Sequence, residues 1–383
     1  MAFRIRRVES AADFAGLAPA WADVTRRSGQ TSPFLHHDWF SCCWAAVAPR
    51  TPEVLVVEDG AGAAGFLPIA RWTERRRGFR IRCLGLLECP DTPMVDLVTV
   101  GEPRAVLDAI LAHLAARSDW DVMRLSRLPA AGATAKALEA ALGRCFRWQR
   151  GETLPSPYLA IEGSWEEFWR AKSQRFKKTC RNIQNRLDRA GRVEIEEHRH
   201  VDPASPVFSD ALGITSRSWK AERGVAIATM ARMPEFFAEL TRRASAHGWL
   251  SLWLLRLDGR AIAMEYQLRA EGKAWALRAD FDHAYRELSP GSALNLAITR
   301  ALFERGTIHE YDMGPGENDY KLRWASAAHE TTRLTAYRRH GYGQLLHLVE
   351  AGLVPAARRL RDGTLKLRSH LMASPAKRGD AGQ

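Results

Sequence analysis

The stretch AYRELSPGSALNLAITRALFERG, Ala284 to Gly306, decides how the fold is read. A strand-like run precedes it, and a Ser-Pro-Gly-Ser turn, Ser289 to Ser292, opens a helix with Leu294, Ala297, Ile298, Ala301 and Leu302 on one stripe. Glycine and proline punctuate ordinary strand-to-helix loops. A helix start also presents backbone N–H groups with no helical acceptor, at the positive end of the dipole, where an anion is welcome.

Working outward, the second half of the chain reads as a meander followed by a crossover. WLSLWLLRL (249–257) turns through Asp258-Gly259, a two-residue hairpin signal, into RAIAMEYQLR (260–269). Glu271-Gly272 makes the next turn into KAWALRADFD (273–282), and HEYDMG (309–314) is a short strand beyond the helix. The first half has the same order. EVLVVED (53–59) and AAGFLPIARW (63–72) flank a Gly-rich turn, and FRIRCLGLL (79–87) and PMVDLVTV (93–100) follow as strands. A helix over 103–117, with Leu107, Ile110, Leu111 and Leu114 on its stripe, leads into the strand WDVMRLSRL (120–128). Two α/β repeats are expected, joined near RGETLPSPYLAI (150–161), where proline and glycine collect. They differ at the helix start: the first helix begins VGEPRAVL, with Glu102 where an anion would sit, so only the second is equipped for one.

Composition limits the possibilities. The chain has 383 residues, 46% hydrophobic and 26% charged, enough for two ordinary domains and too apolar for extensive disorder. No run approaches 18 apolar residues, which argues against a transmembrane helix, and MAFRIRRVESAADF lacks a leader's apolar core, so a cytoplasmic location is expected. Six cysteines without CxxC spacing, and histidines without HExxH spacing, predict neither a disulfide framework nor a catalytic metal. The net charge of +12 favours anionic partners, although arginine from a GC-rich genome would give the same excess.

Five stretches resemble the GNAT N-acyltransferase superfamily, in its two-domain FemAB-like and CelD-like branch. They are SPFLHHDWF, SQRFKKTCRNIQNRLDRAGRVEIE, AIAMEYQLR, ADFDHAYRELSPGSALNLAI and EYDMGPGENDYKLRWA, in that order over residues 30 to 330. The resemblance implies an α/β fold of two tandem GNAT-like domains, each a mixed, mostly antiparallel sheet flanked by helices. Residues 1–152 would be a degenerate acceptor-side domain, 153–340 the acyl-donor and catalytic domain, and 341–383 a basic amphipathic tail. In the family, the strands either side of the crossover helix splay, and acyl-CoA lies in the gap with its pyrophosphate on the helix N-terminus. That places the donor on Ser289, Pro290, Gly291, Ser292, Ala293 and Leu294. Pro290 gives up an N–H the helix would not use, and Gly291 lets the backbone approach a phosphate. The chain has one glycine here, where many GNAT loops have several, so aminoacyl-tRNA, the FemAB donor, stays open as the alternative.

Amide formation from a thioester needs a base for the amine, a place for the oxyanion and a proton for the thiol. Glu265, in an apolar strand, is a candidate base with a pKa raised by desolvation. Asp280 and Asp282, two apart on a strand, read as paired carboxylates or as a salt-bridged strand end. Asp312 reads as a cleft carboxylate or as an Asx turn into Gly314-Pro315-Gly316. The resemblance adds Tyr320 as proton donor and Lys321 as charge stabiliser. Arg170 to Arg192 carries nine Lys/Arg and one acid, a basic amphipathic helix. Its Lys177, Lys178 and Arg181, with Tyr285, are candidate acceptor contacts, against the alternative of a solvated cationic face. Nucleic acid is disfavoured because the aromatic residues lie on the apolar stripe. The function expected is acyl transfer from CoA to an amine of an envelope glycan precursor, sugar nucleotide or amino lipid, with contact to an anionic membrane surface open. The rivals are FemAB-like transfer from aminoacyl-tRNA and a non-catalytic polysaccharide-assembly accessory.

Overall fold

The computed structural model describes residues 3–316 and 319–353. Its first half runs β1 (Arg4–Val8), α1 (Ala11–Ala15), α2 (Ala18–Ser28), α3 (His37–Ala46), β2 (Thr51–Asp59), β3 (Gly62–Arg76), β4 (Phe79–Leu86), β5 (Val98–Thr99), α4 (Pro103–Ala116), β6 (Val122–Pro129), α5 (Ala133–Cys145) and β7 (Phe146–Arg150). The second half runs β8 (Leu154–Ala160), α6 (Trp165–Ala171), α7 (Gln174–Ala190), β9 (Val193–His198), α8 (Pro206–Ser216), α9 (Trp219–Glu222), α10 (Met233–Ala246), β10 (Leu250–Leu257), β11 (Arg260–Ala270), β12 (Lys273–Phe281), α11 (Pro290–Arg305), β13 (Glu310–Asp312), α12 (Asp319–Leu322), β14 (Ala327–Arg338) and α13 (Tyr342–His347).

All strands join one sheet, in the order β1-β2-β3-β4-β6-β14-β8-β13-β12-β11-β10-β9, with β5 on β3 and β7 on β14. The hairpins follow from turn chemistry. Asp258 and Gly259 both have positive φ, 50° and 79°, as do Glu271 and Gly272 at 47° and 71°, the backbone that tight hairpin turns require. Each half is a run of antiparallel strands closed by one parallel pair. β4 pairs β6 from Cys83↔Val122 to Gly85↔Arg124, and β12 pairs β13 from Lys273↔Glu310 to Trp275↔Asp312. Beyond Asp312 β13 ends while β12 continues to Phe281, which opens the sheet in the second half.

The joint expected at 150–161 is a strand. β8 lies between β13 and β14, inside the second half's sheet, although it contains Pro155 and Pro157. Their carbonyls accept from Gly316 at 2.8 Å and Met313 at 2.9 Å, on the side where β13 has ended. The missing N–H groups point the same way, away from β14, so the β8–β14 ladder keeps its bonds. β14, which the sequence reading did not find, pairs β8 through residues 327–331 and then runs between β6 and β7 through residues 331–338. The first half's sheet is thus completed by the end of the second.

Other boundaries also move. PMVDLVTV forms only the two-residue β5. The single basic helix expected at 170–192 is two helices: Lys172 is extended and Ser173 caps α7 by accepting from the Phe176 amide. α6 starts at a capping box between Ser164 and Glu167. Of the basic tail, residues 354–383 lie outside the described residues.

The apolar residues form two main cores on opposite faces of the second half's sheet. Met264, Tyr266 and Leu268 face one that is continuous with the first half, where Phe34 of SPFLHHDWF meets Trp275 edge-on at 5.3 Å. Trp253, Leu294, Ile298 and Leu302 belong to the other, under α11 and α7.

Candidate active site

Side chains alternate along a strand, so Glu265 and Gln267 face α11 while Met264 and Tyr266 face away. Glu265 is 3% exposed. Gln267 Nε2 donates to its Oε1 at 2.7 Å, and the Tyr311 hydroxyl, from β13, donates to the same oxygen in a short bond. The Asn295 amide of α11 lies 3.2 Å from that hydroxyl. It is Asn295 Oδ1 that faces the phenol, and since a phenol has one proton, Tyr311 can donate to Glu265 or to Asn295 but not to both at once. Burial raises the Glu265 carboxyl above its ordinary range, against the pull of these two bonds and of the Lys321 charge. Gln267, Asn295 and Tyr311 were not among the sequence candidates. An apolar helix stripe interrupted by Asn295 is the signal that could have found one of them.

Tyr320, on α12, is half-buried, and burial together with the Glu265 charge raises its phenol well above the ordinary value. Lys321 Nζ donates to the carbonyls of Gly314, Pro315 and Gly316 at 2.8, 3.0 and 3.1 Å. It therefore fixes the loop after β13 while its charge reaches Glu265 and Asp312. Asp312 accepts from Ser156 Oγ and from the Gly314 amide, both at 2.7 Å; the second bond is the Asx turn, and burial raises this carboxyl too.

Asp280 and Asp282 do not pair with each other. Asp280 is opposite Met264 and so lies on the other face of the sheet from Glu265, 3.0 Å from Lys220 Nζ. Asp282 accepts from Arg217 Nε at 2.6 Å, Arg260 Nη2 at 3.2 Å and the Ala284 amide at 3.1 Å. Burial opposes ionisation of Asp282, but the bonds from Arg217 and Ala284 outweigh it and hold the group below the usual carboxylate range. These partners account for Asp282 as a turn cap. Tyr285 sits under the Arg260 guanidinium, 5.6 Å from the ring centroid.

The turn that opens α11 borders a cavity of about 530 Å³. Ser292 and Tyr320 stand on one side and Arg175, Phe176, Thr179 and Ile183 of α7 on the other, with Trp324 closing it. Ser289 has positive φ, 55°, and its carbonyl takes the Ser292 and Ala293 amides at 3.1 and 3.2 Å. Pro290, Ala293 and Leu294 are buried, so they can meet a ligand only through backbone. A Cβ on Gly291 would meet only Phe281 Cδ1, at 3.4 Å, so the protein itself does not require glycine there. Lys177 and Arg181 point away from this cavity, into a separate groove with Arg170 and Arg300, while Lys178 is exposed. Away from both, Asp38 joins His36 and His247, the one group of three metal-ligating side chains among the described residues, and is ion-paired with Arg243.

Residues 174–322, from the start of α7 to the end of α12, match the family model for the acetyltransferase (GNAT) domain. This segment carries a GNAT acetyltransferase domain. The matched region contains β12, α11 and β13, the parallel pair and crossover that build the site. No curated protein sequence matches the chain. Among solved structures, FemX is similar at 11% identity, with 91% of this chain and all of that one covered, TM-score 0.54. The C-terminal domain (DUF2156) assigned to a lysylphosphatidylglycerol synthetase of Agrobacterium fabrum is similar at 15% identity, covering 90% and 97%, TM-score 0.51. L-PGS from Bacillus licheniformis is similar at 10% identity, covering 86% and 95%, TM-score 0.51. At these identities the likeness is one of fold. That likeness of fold, a sheet of mixed, mostly antiparallel pairing, spans both halves of the chain.

Proposed function

We propose that this GNAT protein transfers an acyl group from a CoA thioester to an amine on an envelope glycan precursor, sugar nucleotide or amino lipid. The observation that carries the reading is the cavity between α7 and the α11 turn, with Tyr320 on its wall and the buried Glu265 charge close enough to shift that phenol. Its lining suits a CoA thioester: Arg175 and Arg323, beside the positive end of the α11 dipole, for phosphate, and Phe176, Ile183 and Trp324 for the apolar arm. The acceptor nitrogen bonds to the acyl carbon and its proton passes to Glu265. The carbon–sulfur bond then breaks and Tyr320 gives its proton to the departing sulfur. Lys321 positions the 314–316 loop and stabilises negative charge. Asp280, Lys220 and the Arg278–Asp91 pair, at 2.8 Å, lie on the far face of the sheet toward the first half, the side assigned to the acceptor. We assign residues 1–152 to shaping that side and 153–340 to donor binding and chemistry. The envelope acceptor is supported by the FemAB-like resemblance, and by a similar fold whose name states an aminoacylated lipid.

The six exposed or half-exposed cations of α7, against one acid, favour aminoacyl-tRNA as a second donor. Native mass spectrometry with CoA thioesters of increasing length, beside binding of charged tRNA over a salt series, separates the two. Thioester adducts with weak tRNA binding are expected. Steeply salt-dependent tRNA binding without thioester adducts would replace the first reading by the second. Thioester binding with no turnover on any amine would leave an accessory protein.

A further inference from the structure

We propose that the groove between α6, α7 and α11 docks the phosphate-bearing headgroups of an anionic membrane surface. The groove holds about 600 Å³, and Arg170, Lys177, Arg181 and Arg300 converge on it; Glu166 is the acid in its lining, and Arg300 also pairs with Glu304 behind it at 2.6 Å. The neighbouring Glu167 is occupied in the capping box with Ser164. Trp165 and Trp169, one turn apart on α6, stack at 5.2 Å between centroids and stay half-exposed on the same groove. Lys177 Nζ donates to the Arg170 carbonyl at 2.9 Å, which ties α7 to the end of α6 and fixes the cationic rim.

Cations beside indole rings are the combination that sits at a bilayer boundary, with the charge at the phosphates and the rings at headgroup depth. A free phosphate would use the guanidinium groups and leave the tryptophans without purpose. A nucleic-acid strand would need the rings presented among the charges along a track, whereas both belong to one turn of one helix. The donor cavity lies on the other flank of α7, lined by Arg175, Thr179 and Ile183, so a docked membrane leaves it open. Vesicle binding and thioester binding can therefore fail independently.

The test is vesicle flotation of the full chain with phosphatidylcholine vesicles, with and without phosphatidylglycerol. Binding at least about tenfold stronger to the anionic vesicles is expected, weakening as salt shortens the screening length. Arg170→Glu with Arg300→Glu should lose about tenfold or more of that binding, while Arg170→Lys with Arg300→Lys retains it. Thermal shifts induced by CoA thioester should be the same in both. Should the reversed variant fail to fold, Arg170→Gln with Arg300→Gln reads the same loss. Equal binding to the two vesicle types, wild-type flotation of the reversed variant, or saturation by inorganic phosphate without flotation would each overturn the assignment.

Discussion

The two halves share the register of their central hairpin and of their parallel pair, and differ in what they put at the same places. In both, the central hairpin carries its irregularity two pairs beyond the turn, at Val57/Glu58 and at Leu255/Arg256. Counting from the turns, Leu67 opposite Leu55 occupies the place of Glu265 opposite Trp253, and Ile69 that of Gln267. Along the parallel pairs, Met123 opposite Leu84 takes the place of Tyr311 opposite Ala274. The polar trio of the second half is thus Leu, Ile and Met in the first. There Leu67 and Met123 face Leu107, Ile110 and Leu111 of α4 around a space of only about 10 Å³, at the lower limit for a single water. The same frame carries a filled apolar core in one half and a buried, hydrogen-bonded carboxylate in the other. A buried carboxylate is costly unless it is used, which is why the difference points to chemistry.

The largest effect should come from removing that carboxylate. Glu265→Gln is nearly isosteric and should lower kcat by about 10²- to 10³-fold while leaving the CoA-thioester thermal shift intact. A loss under threefold would show that the comparison has picked the wrong base. The acid limb of the kcat/KM profile should lie above glutamate's ordinary value of 4.5, because burial raises this group. The stability sign follows. A folded-state pKa above the unfolded one contributes stability that is complete below the ordinary value and lost as pH rises through the folded value. Unfolding measured against pH should therefore show Glu265→Gln gaining on the wild type as pH rises.

Next in size, Gly291→Asp should weaken thioester binding by about tenfold or more in a folded protein, because the new side chain has room and its charge repels phosphate. Unchanged affinity by titration would move the donor away from the α11 turn. Lys321→Met should cost about tenfold in kcat and rather less in donor affinity, since it loosens the three carbonyls after β13. Equal losses in both would make Lys321 a donor contact instead.

The smallest change tests the repeat directly. Glu265→Leu/Gln267→Ile/Tyr311→Met copies the first half into the second and should abolish activity while keeping unfolding free energy within about 1–2 kcal/mol of wild type. Glu265→Leu alone should cost about 1–3 kcal/mol, because the Tyr311 hydroxyl and Gln267 amide lose their acceptor. A triple variant that does not fold would mean the polar trio also holds the second half together.

What the sequence made legible was local. Asp258-Gly259 and Glu271-Gly272 announced their hairpins by turn chemistry, and the stripe from Leu107 to Leu114 announced α4 by period. Glu265 stood out as a charge in an apolar run. What stayed hidden depends on pairing over long separations. Pro155 and Pro157 read as a joint because nothing nearby shows that β13 has ended beside them. AAHETTRLTAYR has too little alternation to declare β14. Asp280 and Asp282 looked paired because strand period alone does not reveal that Asp282 leaves the strand to cap a turn.

The placement of β14 has a consequence for synthesis. Until Arg338 has been made, β6 and β7 have an unfilled slot between them, and the first half cannot close its sheet. At ribosomal speed the second half takes on the order of ten seconds or more to follow. For that time the nascent first half presents two bare strand edges, and their first correct partner is the last strand among the described residues.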